Sequence, residues 1–382
     1  MHFELPDDLT ALAETAAALA RDRFAADALR RARTPSFPRG VSGVLAGEGL
    51  TGLVRSKCAR AAAGVLAGVV AVEAIARVCP RSGDAIHGVN FAAALHLACH
   101  AANADQETEL AALLDGQRLF SIAVSEEGAG AQAGALVTRA RREGGEIVLS
   151  GSKRFAANSD DADGFIVYAR FGETIEEIGA ILVPRGTPGL VLGDPISVMS
   201  GDSWRSLTFN DARLPESAVI FARGGFSGKA GFFDIEKIGN AARALGVGWC
   251  AFDSMKEFAL RRQQFGRPIA EFQGLQWKVA DVALALEAAQ LVLYRAAARA
   301  DAGCLRGEDS SCAKTMCNRA AMGACDAAVQ VLAGAGYSGD SLVEYCFRKA
   351  RGFMINGGVV DLMLTRIAEG VFDLKFPQQR TN

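Results

Sequence analysis

The chain has no Cys-x-x-Cys pair. Its nine cysteines are scattered, and Cys250, Cys312, Cys317 and Cys325 fall in Ala-rich segments. That spacing argues against a zinc site and a disulfide framework, and reads the cysteines as small buried thiols. Histidine is scarce, with four in 382 residues. His96 and His100 stand four apart in an expected helix, but no carboxylate or cysteine supports them at a metal-ligand spacing, so packing or partial exposure is expected. Charge of one sign is also missing: 41 basic residues oppose 43 acidic ones, for a net charge of −2. A nucleic-acid or anionic-membrane partner therefore finds no support. No charge-free apolar run reaches about 18 residues, which argues against a membrane span. Residues 1–8 are acidic and lack the basic and apolar regions of a secretory signal, which leaves a cytoplasmic protein as the expectation.

Half of the residues are hydrophobic and 22% are charged, the composition of a globular chain, and 382 residues exceed one simple core. Residues 8–116 read as helical, with Ala-rich runs at 9–29, 59–76, 91–101 and 105–114, separated by Pro35, Pro38, Gly47, Gly49 and Pro80-Arg81-Ser82-Gly83. From 119 to 222 the period changes to short β-forming runs at 119–124, 147–149, 164–168, 180–183 and 206–209, with a hairpin turn at Glu143-Gly144-Gly145-Glu146. Helices return at 234–260, 270–302, 309–332 and 340–370, with loops at 303–309 and 333–337. The expected fold is α+β: an N-terminal helical domain (1–118), a central β-domain (119–225) and a C-terminal four-helix bundle (226–382).

The junction of the first two bundle helices carries the most specific chemistry. Arg262, Gln264, Gln273 and Gln276 crowd one helix–turn–helix corner. A guanidinium can grip a phosphate with paired donors, and the amides can satisfy a purine or ribose edge. Beyond the turn, Phe272, Leu275, Gln276, Val279, Val282 and Leu286 recur at helical spacing and predict one buried face. The series Arg262, Phe265, Gly266, Phe272, Gln273, Gln276, Ala280 and Asp281 resembles, in order and spacing, the corner by which acyl-CoA dehydrogenases hold FAD at a subunit interface. The helix–β–helix proportions are similar to that family over most of the chain. The match is weakest over 1–118, where Val54-Arg55-Ser56-Lys57-Cys58 replaces the family's Pro-Glu-x-x-Gly-Gly.

The resemblance implies further contacts. Val124-Ser125-Glu126-Glu127-Gly128-Ala129-Gly130-Ala131 looks like the family's Thr-Glu-Pro-x-Ala-Gly-Ser, so Val124 and Ser125 would touch the flavin, with Ala131 where a serine normally meets the CoA arm. Gly151-Ser152-Lys153-Arg154-Phe155-Ala156-Ala157-Asn158 is similar to another flavin segment. There Phe155 would cover the ring edge, and Ala157 lacks the hydroxyl usually aimed at the reacting nitrogen. Gln330-Val331-Leu332-Ala333-Gly334-Ala335-Gly336-Tyr337 resembles Gln-x-x-Gly-Gly-x-Gly, so Gln330 and Gly334 would complete the cofactor site.

Acyl-CoA dehydrogenases remove an α-proton with a carboxylate while the β-hydrogen leaves as hydride. Most carry the glutamate in Tyr-Glu-Gly-Thr; here Gly357 occupies its place, and Val359 and Asp361 replace the neighbouring FAD contacts. A minority carry it 29 residues before the motif phenylalanine. Counting back from Phe265 gives Glu236, in Phe233-Asp234-Ile235-Glu236-Lys237. Glu236 is the expected base, Asp361 a distant second, and Asp234, Lys237, Ala131 and Gly357 are expected to line the substrate. The resemblance implies FAD, an acyl-CoA substrate, electron-transfer flavoprotein or oxygen as acceptor, and a homodimer or homotetramer. The alternatives are a desulfinase, a flavin monooxygenase or a silent subunit of a heteromeric dehydrogenase.

Overall fold

The structure, a computed structural model, describes residues 4–54, 64–130, 132–224, 232–374 and 376. Helices α1 (Asp7–Arg23), α2 (Ala28–Arg33), α3 (Arg39–Gly47), α4 (Val65–Val78), α5 (Pro80–Gly88), α6 (Ala92–His100) and α7 (Ala104–Leu114) come first. Strands β1 (Phe120–Ala123), β2 (Arg139–Glu143), β3 (Glu146–Ala157), β4 (Gly164–Arg170), β5 (Ile178–Pro184), β6 (Leu190–Ile196), β7 (Trp204–Pro215) and β8 (Val219–Phe221) follow. Helix α8 (Phe232–Arg261) leads into a two-strand ribbon, β9 (Gln263–Gln264) and β10 (Arg267–Pro268). The chain then forms α9 (Gln273–Asp301), α10 (Gly307–Leu332), the single turn α11 (Gly334–Tyr337), α12 (Leu342–Phe353) and α13 (Val360–Phe372). Two compact units result, one of Met1–Leu29, Val69–Gly83 and Asp234–Asn382, the other of Arg30–Gly68 and Asp84–Phe233.

The second unit holds an eight-stranded mixed sheet in the order β6-β7-β3-β2-β4-β5-β8, with β1 parallel to β4. Strands β4 and β5 are buried almost end to end, which is why they read as continuous apolar runs. The turn between β2 and β3 forms where expected, with Gly144 and Gly145 both at positive φ. Strands β3 and β7 run longer than the apolar segments that announced them. Register shifts between Leu149 and Gly151, and between Lys153 and Ala156, break the alternation a sequence pattern relies on. Strand β2, Arg-Ala-Arg-Arg-Glu with one buried residue, carries too little apolar signal to be read as a strand. His96 is fully buried on α6, with Nε2 2.9 Å from the Tyr168 hydroxyl and Nδ1 3.0 Å from the Ala92 carbonyl. Burial pushes its pKa down to about 3, so it is a neutral packing group, as its isolation in the sequence indicated.

The first unit is the helical bundle, and three expectations about its helices change. The run at 9–29 ends as a helix at Arg23, because Phe24 turns inward to a buried position. Pro80-Arg81-Ser82-Gly83 is no separator: it opens α5, since proline at the first helical position forfeits an N–H that has no helical partner anyway. The segment 340–370 is two helices, interrupted where Gly357 and Gly358 adopt φ of 63° and 95°. In addition, 333–337 is a helical turn rather than open loop.

Helix α8 is the spine of the bundle and is buried on nearly all sides from Lys237 to Phe252. Its closest approach to α4 is at Gly246, where a Cβ would stand 2.6 Å from the Ala76 Cβ and 2.7 Å from the Glu73 carbonyl. Glu73 itself is buried and accepts from Gln290 and, at 3.0 Å, from the Tyr294 hydroxyl, which ties α4 to α9. Burial pushes its carboxyl up to about 7 against the opposing pull of Tyr294, Gln290 and Arg77. A folded-state pKa above the ordinary carboxylate value means tighter proton binding in the folded chain. The stabilisation is therefore fully present below pH 4.5 and lost as pH rises toward 7, a difference on the order of 3 kcal/mol. Denaturant midpoints at pH 5 and pH 8 should accordingly differ more in the wild-type chain than in Glu73→Gln. Equal pH dependence in the two would refute this assignment.

Candidate active site

The first turns of α8 bring three expected residues into one neighbourhood. Lys237 Nζ lies 2.6 Å from Asp234 Oδ1, and the Ser310 hydroxyl of α10 donates to the same oxygen at 2.8 Å. Burial works against the Asp234 charge, but Lys237, Ser310 and Arg366 more than offset it, and its pKa is lowered. Glu236 keeps some side-chain exposure, yet one carboxylate oxygen is sealed from solvent. Burial pushes this carboxyl up to about 7, against the opposing pull of Arg243 and Lys314. A glutamate held near neutrality can both take and return a proton at ordinary pH.

Lys314 of α10 is completely buried. Its Nζ donates to Asn240 Oδ1 at 2.7 Å, to the Asn356 carbonyl at 2.9 Å and to the Phe353 carbonyl at 3.3 Å. Asn240 in turn donates to Asn356 Oδ1 at 3.1 Å, and Asn318 donates to the Phe353 carbonyl at 2.6 Å. Gly357 sits directly over this group: a Cβ there would meet Asn240 Nδ2 at 3.4 Å and Lys314 Nζ at 3.7 Å. Gly357 thus backs onto the buried lysine. Asp361, the second candidate base, is exposed in the first turn of α13.

The other expected contacts fall into three groups. Val124 and Ser125 follow β1 and are half-buried; Phe155 and Ala157 end β3, and Ala131 lies outside the described residues. The β1 and β3 segments are locked together by Lys153, whose Nζ meets Glu126 Oε1 at 2.6 Å and the Val124 carbonyl at 3.1 Å. Glu126 also accepts from the backbone N–H groups of Val137 and Thr138, at 2.5 and 3.1 Å. Burial opposes its charge, but these donors hold its pKa below the usual range. At the corner after α8, Arg262, Gln264, Phe265 and Gln273 are all exposed on one turn, and Gln276 instead donates back to the Ala270 carbonyl at 3.0 Å. Gln330 is exposed near the end of α10, two residues before Leu332 closes it, and Gly334 opens α11. The buried face of α9 is carried by Val282, Leu286, Ala289 and Leu293, while Phe272, Leu275 and Val279 are half-buried.

Comparison with known proteins identifies the family. The family profile "Acyl-CoA dehydrogenase, middle domain" matches residues 121–212, and "Acyl-CoA dehydrogenase, C-terminal domain" matches residues 223–372. The mouse mitochondrial short-chain specific acyl-CoA dehydrogenase is 32% identical over 96% of this chain and 90% of its own. The chain belongs to the acyl-CoA dehydrogenase family. A 3-sulfinopropanoyl-CoA desulfinase from Paraburkholderia xenovorans is 30% identical over 99% of this chain and 100% of its own. The solved FAD complex of PigA shares the fold at a TM-score of 0.89 with 25% identity, covering 97% of this chain and 99% of that one.

As an acyl-CoA dehydrogenase-family chain, it can be tested for whether its own residues suit a flavin. Phe155, Phe265 and Ala333 occupy left-handed backbone at φ of 60°, 52° and 52°. Such a conformation costs a non-glycine residue about 1–3 kcal/mol and persists where something else requires it. Phe265 is 92% exposed, so its ring gains little within its own chain. Among the described residues no acceptor meets the Arg262 guanidinium. In the sheet unit the half-exposed Phe155 ring and the clamped Val124–Ser125 backbone suit a flavin ring, and in the helical unit the exposed Phe265 and Arg262 suit a dinucleotide phosphate.

Sequence reading missed Glu126, Asn240, Lys314 and Asn356. A signal for Lys314 exists: it shares the buried stripe of Cys317, Ala321, Ala324 and Ala328, where an unpartnered ammonium would be intolerable. The Glu126–Lys153 pair yields a direct test. Lys153→Met leaves a buried carboxylate without its cation and should destabilise the chain by about 3–5 kcal/mol, read as a lowered denaturation midpoint. An unchanged midpoint would show that the pair does not hold the β1–β3 segments.

Proposed function

We propose that the protein is an FAD-dependent dehydrogenase of acyl-CoA thioesters, acting between Cα and Cβ, with Glu236 as the base. The observation that carries this reading is the Glu236 carboxyl, one oxygen of which is sealed from solvent and which burial pushes up to about 7. Glu236 takes the α-proton, and its proton affinity is matched to that task near neutral pH. Arg243 and Lys314 limit the cost of the charged form, so the carboxylate is reachable without leaving the site. The Asp234–Lys237 pair fixes the first turn of α8 and presents a charged, hydrogen-bonding edge to the thioester-bearing substrate.

Bound FAD would supply the acceptor for the β-hydrogen. Val124, Ser125, Phe155 and Ala157 would hold its ring, and Arg262, Gln264, Phe265, Gln273, Gln330 and Gly334 its dinucleotide arm. Ser125 retains one hydroxyl donor, whereas Ala157 offers none to the reacting nitrogen. The exposed Arg262 corner suits a cofactor shared with a second copy, so a homodimer or homotetramer is part of the reading. Electron-transfer flavoprotein or oxygen would reoxidise the cofactor. The likeness to the Paraburkholderia desulfinase over the full length of both chains favours a second reading, flavin-site chemistry on an acyl-CoA without α-proton removal.

Purified protein should show a flavin absorbance band that acyl-CoA bleaches under anaerobic conditions. Glu236→Gln should slow that bleaching by about 10²–10⁴-fold. In the wild type the rate should rise with pH through about 7, because only the deprotonated carboxylate can act. Bleaching that survives the substitution removes Glu236 from the role, and sulfite release from a sulfinoacyl-CoA would favour the second reading.

A further inference from the structure

The proposed base, Glu236, is one half of the α8–α10 arrangement; the other is a lysine with no assigned role. Three features of Lys314 go beyond packing. All three of its acceptors are oxygens, which match the three N–H bonds of an ammonium ion rather than the two of a neutral amine. Two of those acceptors are main-chain carbonyls at the end of α12 and in the turn before α13, the turn that carries Gly357. The third, Asn240, lies one helical turn beyond Glu236 on the same face of α8 and bonds the Asn356 side chain as well. A single buried nitrogen therefore joins α8, α10 and the α12–α13 turn.

The reason a cation is needed is geometric. Gly357 and Gly358 are consecutive left-handed residues, so the turn points the Phe353 and Asn356 carbonyls inward instead of continuing a helix. Without the ammonium the Asn356 carbonyl would be left without a described donor, which is expensive for a buried group, whereas the Phe353 carbonyl is shared between Lys314 and Asn318. The charged and titratable groups facing Lys314 are Glu236, Lys237 and Arg243 of α8 and Cys317 of its own helix. Glu236 is the acidic member nearest in role, and its ionisation is in turn sensitive to Lys314.

We propose that Lys314 is a positioning residue: its ammonium pins the α12–α13 turn to Asn240 and holds a positive charge next to the Glu236 carboxyl. The first half of this stands on hydrogen bonds alone, while its relevance to turnover rests on Glu236 being the base. The test is made on the full-length purified protein without substrate. In Lys314→Met, amides of residues 354–360 should exchange with deuterated solvent at least about tenfold faster, because the carbonyl clamp is gone. The Glu236 carboxyl, followed by infrared titration against Glu236→Gln, should move up by about one pH unit once the neighbouring charge is removed.

Unchanged exchange in the turn overturns the proposal, and so does faster exchange with an unmoved Glu236 titration, which would mark the lysine as mere packing. Should Lys314→Met not fold, Asn240→Leu keeps the ammonium and its two carbonyl acceptors while cutting the link to α8. Turn exchange as slow as wild type in that variant overturns the proposal equally. A failed base assignment would appear elsewhere, as bleaching that persists in Glu236→Gln, and would leave both of these readouts intact.

Discussion

Taking a carboxyl group out of water is the constraint on which the functional core depends. Glu236 is drawn into the bundle far enough for desolvation to outweigh two nearby cations, and its pKa rises to about 7. The reverse happens to Lys314, which burial pushes down to about 7 despite the nearby Glu236 charge. Neither group would be tolerable alone at such depth. Lys314, Asn240 and Asn356 form a hydrogen-bonded network whose charge bears on Glu236 through space. The geometry of the α12–α13 turn and the ionisation of Glu236 are linked through that charge.

The same logic recurs in the sheet-containing unit. The Glu126–Lys153 pair is buried and closes β1 onto β3, so charge joins the Arg154 N–H bond to the Ser125 carbonyl in fixing the segment that bears Val124 and Ser125. In both units a lysine and a glutamate, one from each of two neighbouring segments, set the backbone that the proposed ligand contacts would use. The two differ in one respect. Lys153 meets its carboxylate directly, whereas Lys314 spends its donors on an amide and two carbonyls and acts on Glu236 through space.

Much of the fold was legible because its signals are local. The strands β4 and β5 announced themselves as unbroken apolar runs, and α8, α9 and α10 as long Ala- and Leu-rich stretches between clear breakers. The corner at Arg262 was read through its resemblance to a family motif, and the structure leaves Arg262, Gln264, Phe265 and Gln273 exposed there. What escaped was non-local or masked. Strand β2 is mostly arginine, the α5 start carries a proline that usually separates helices, and the break before α13 depends on two glycines whose conformation only the tertiary structure fixes. Lys314, Asn240 and Asn356 stand far apart in sequence, on α10, on α8 and in the α12–α13 turn, and no spacing rule joins them. Glu236 was found by counting from a distant motif, and only its burial explains why a carboxyl near a helix start, otherwise an ordinary surface choice, is held near neutrality.

The account rests on Glu236 exchanging a proton with the α-carbon of a bound thioester, and deuterium transfer reports on that step most directly. The protein is incubated with an acyl-CoA in heavy water, and the label at Cα is followed by mass spectrometry across pH 5 to 9. The account predicts label entering Cα in the wild type, faster as pH rises through about 7, and slowed by at least about a hundredfold in Glu236→Gln. Equal labelling by the two proteins at every pH would contradict it.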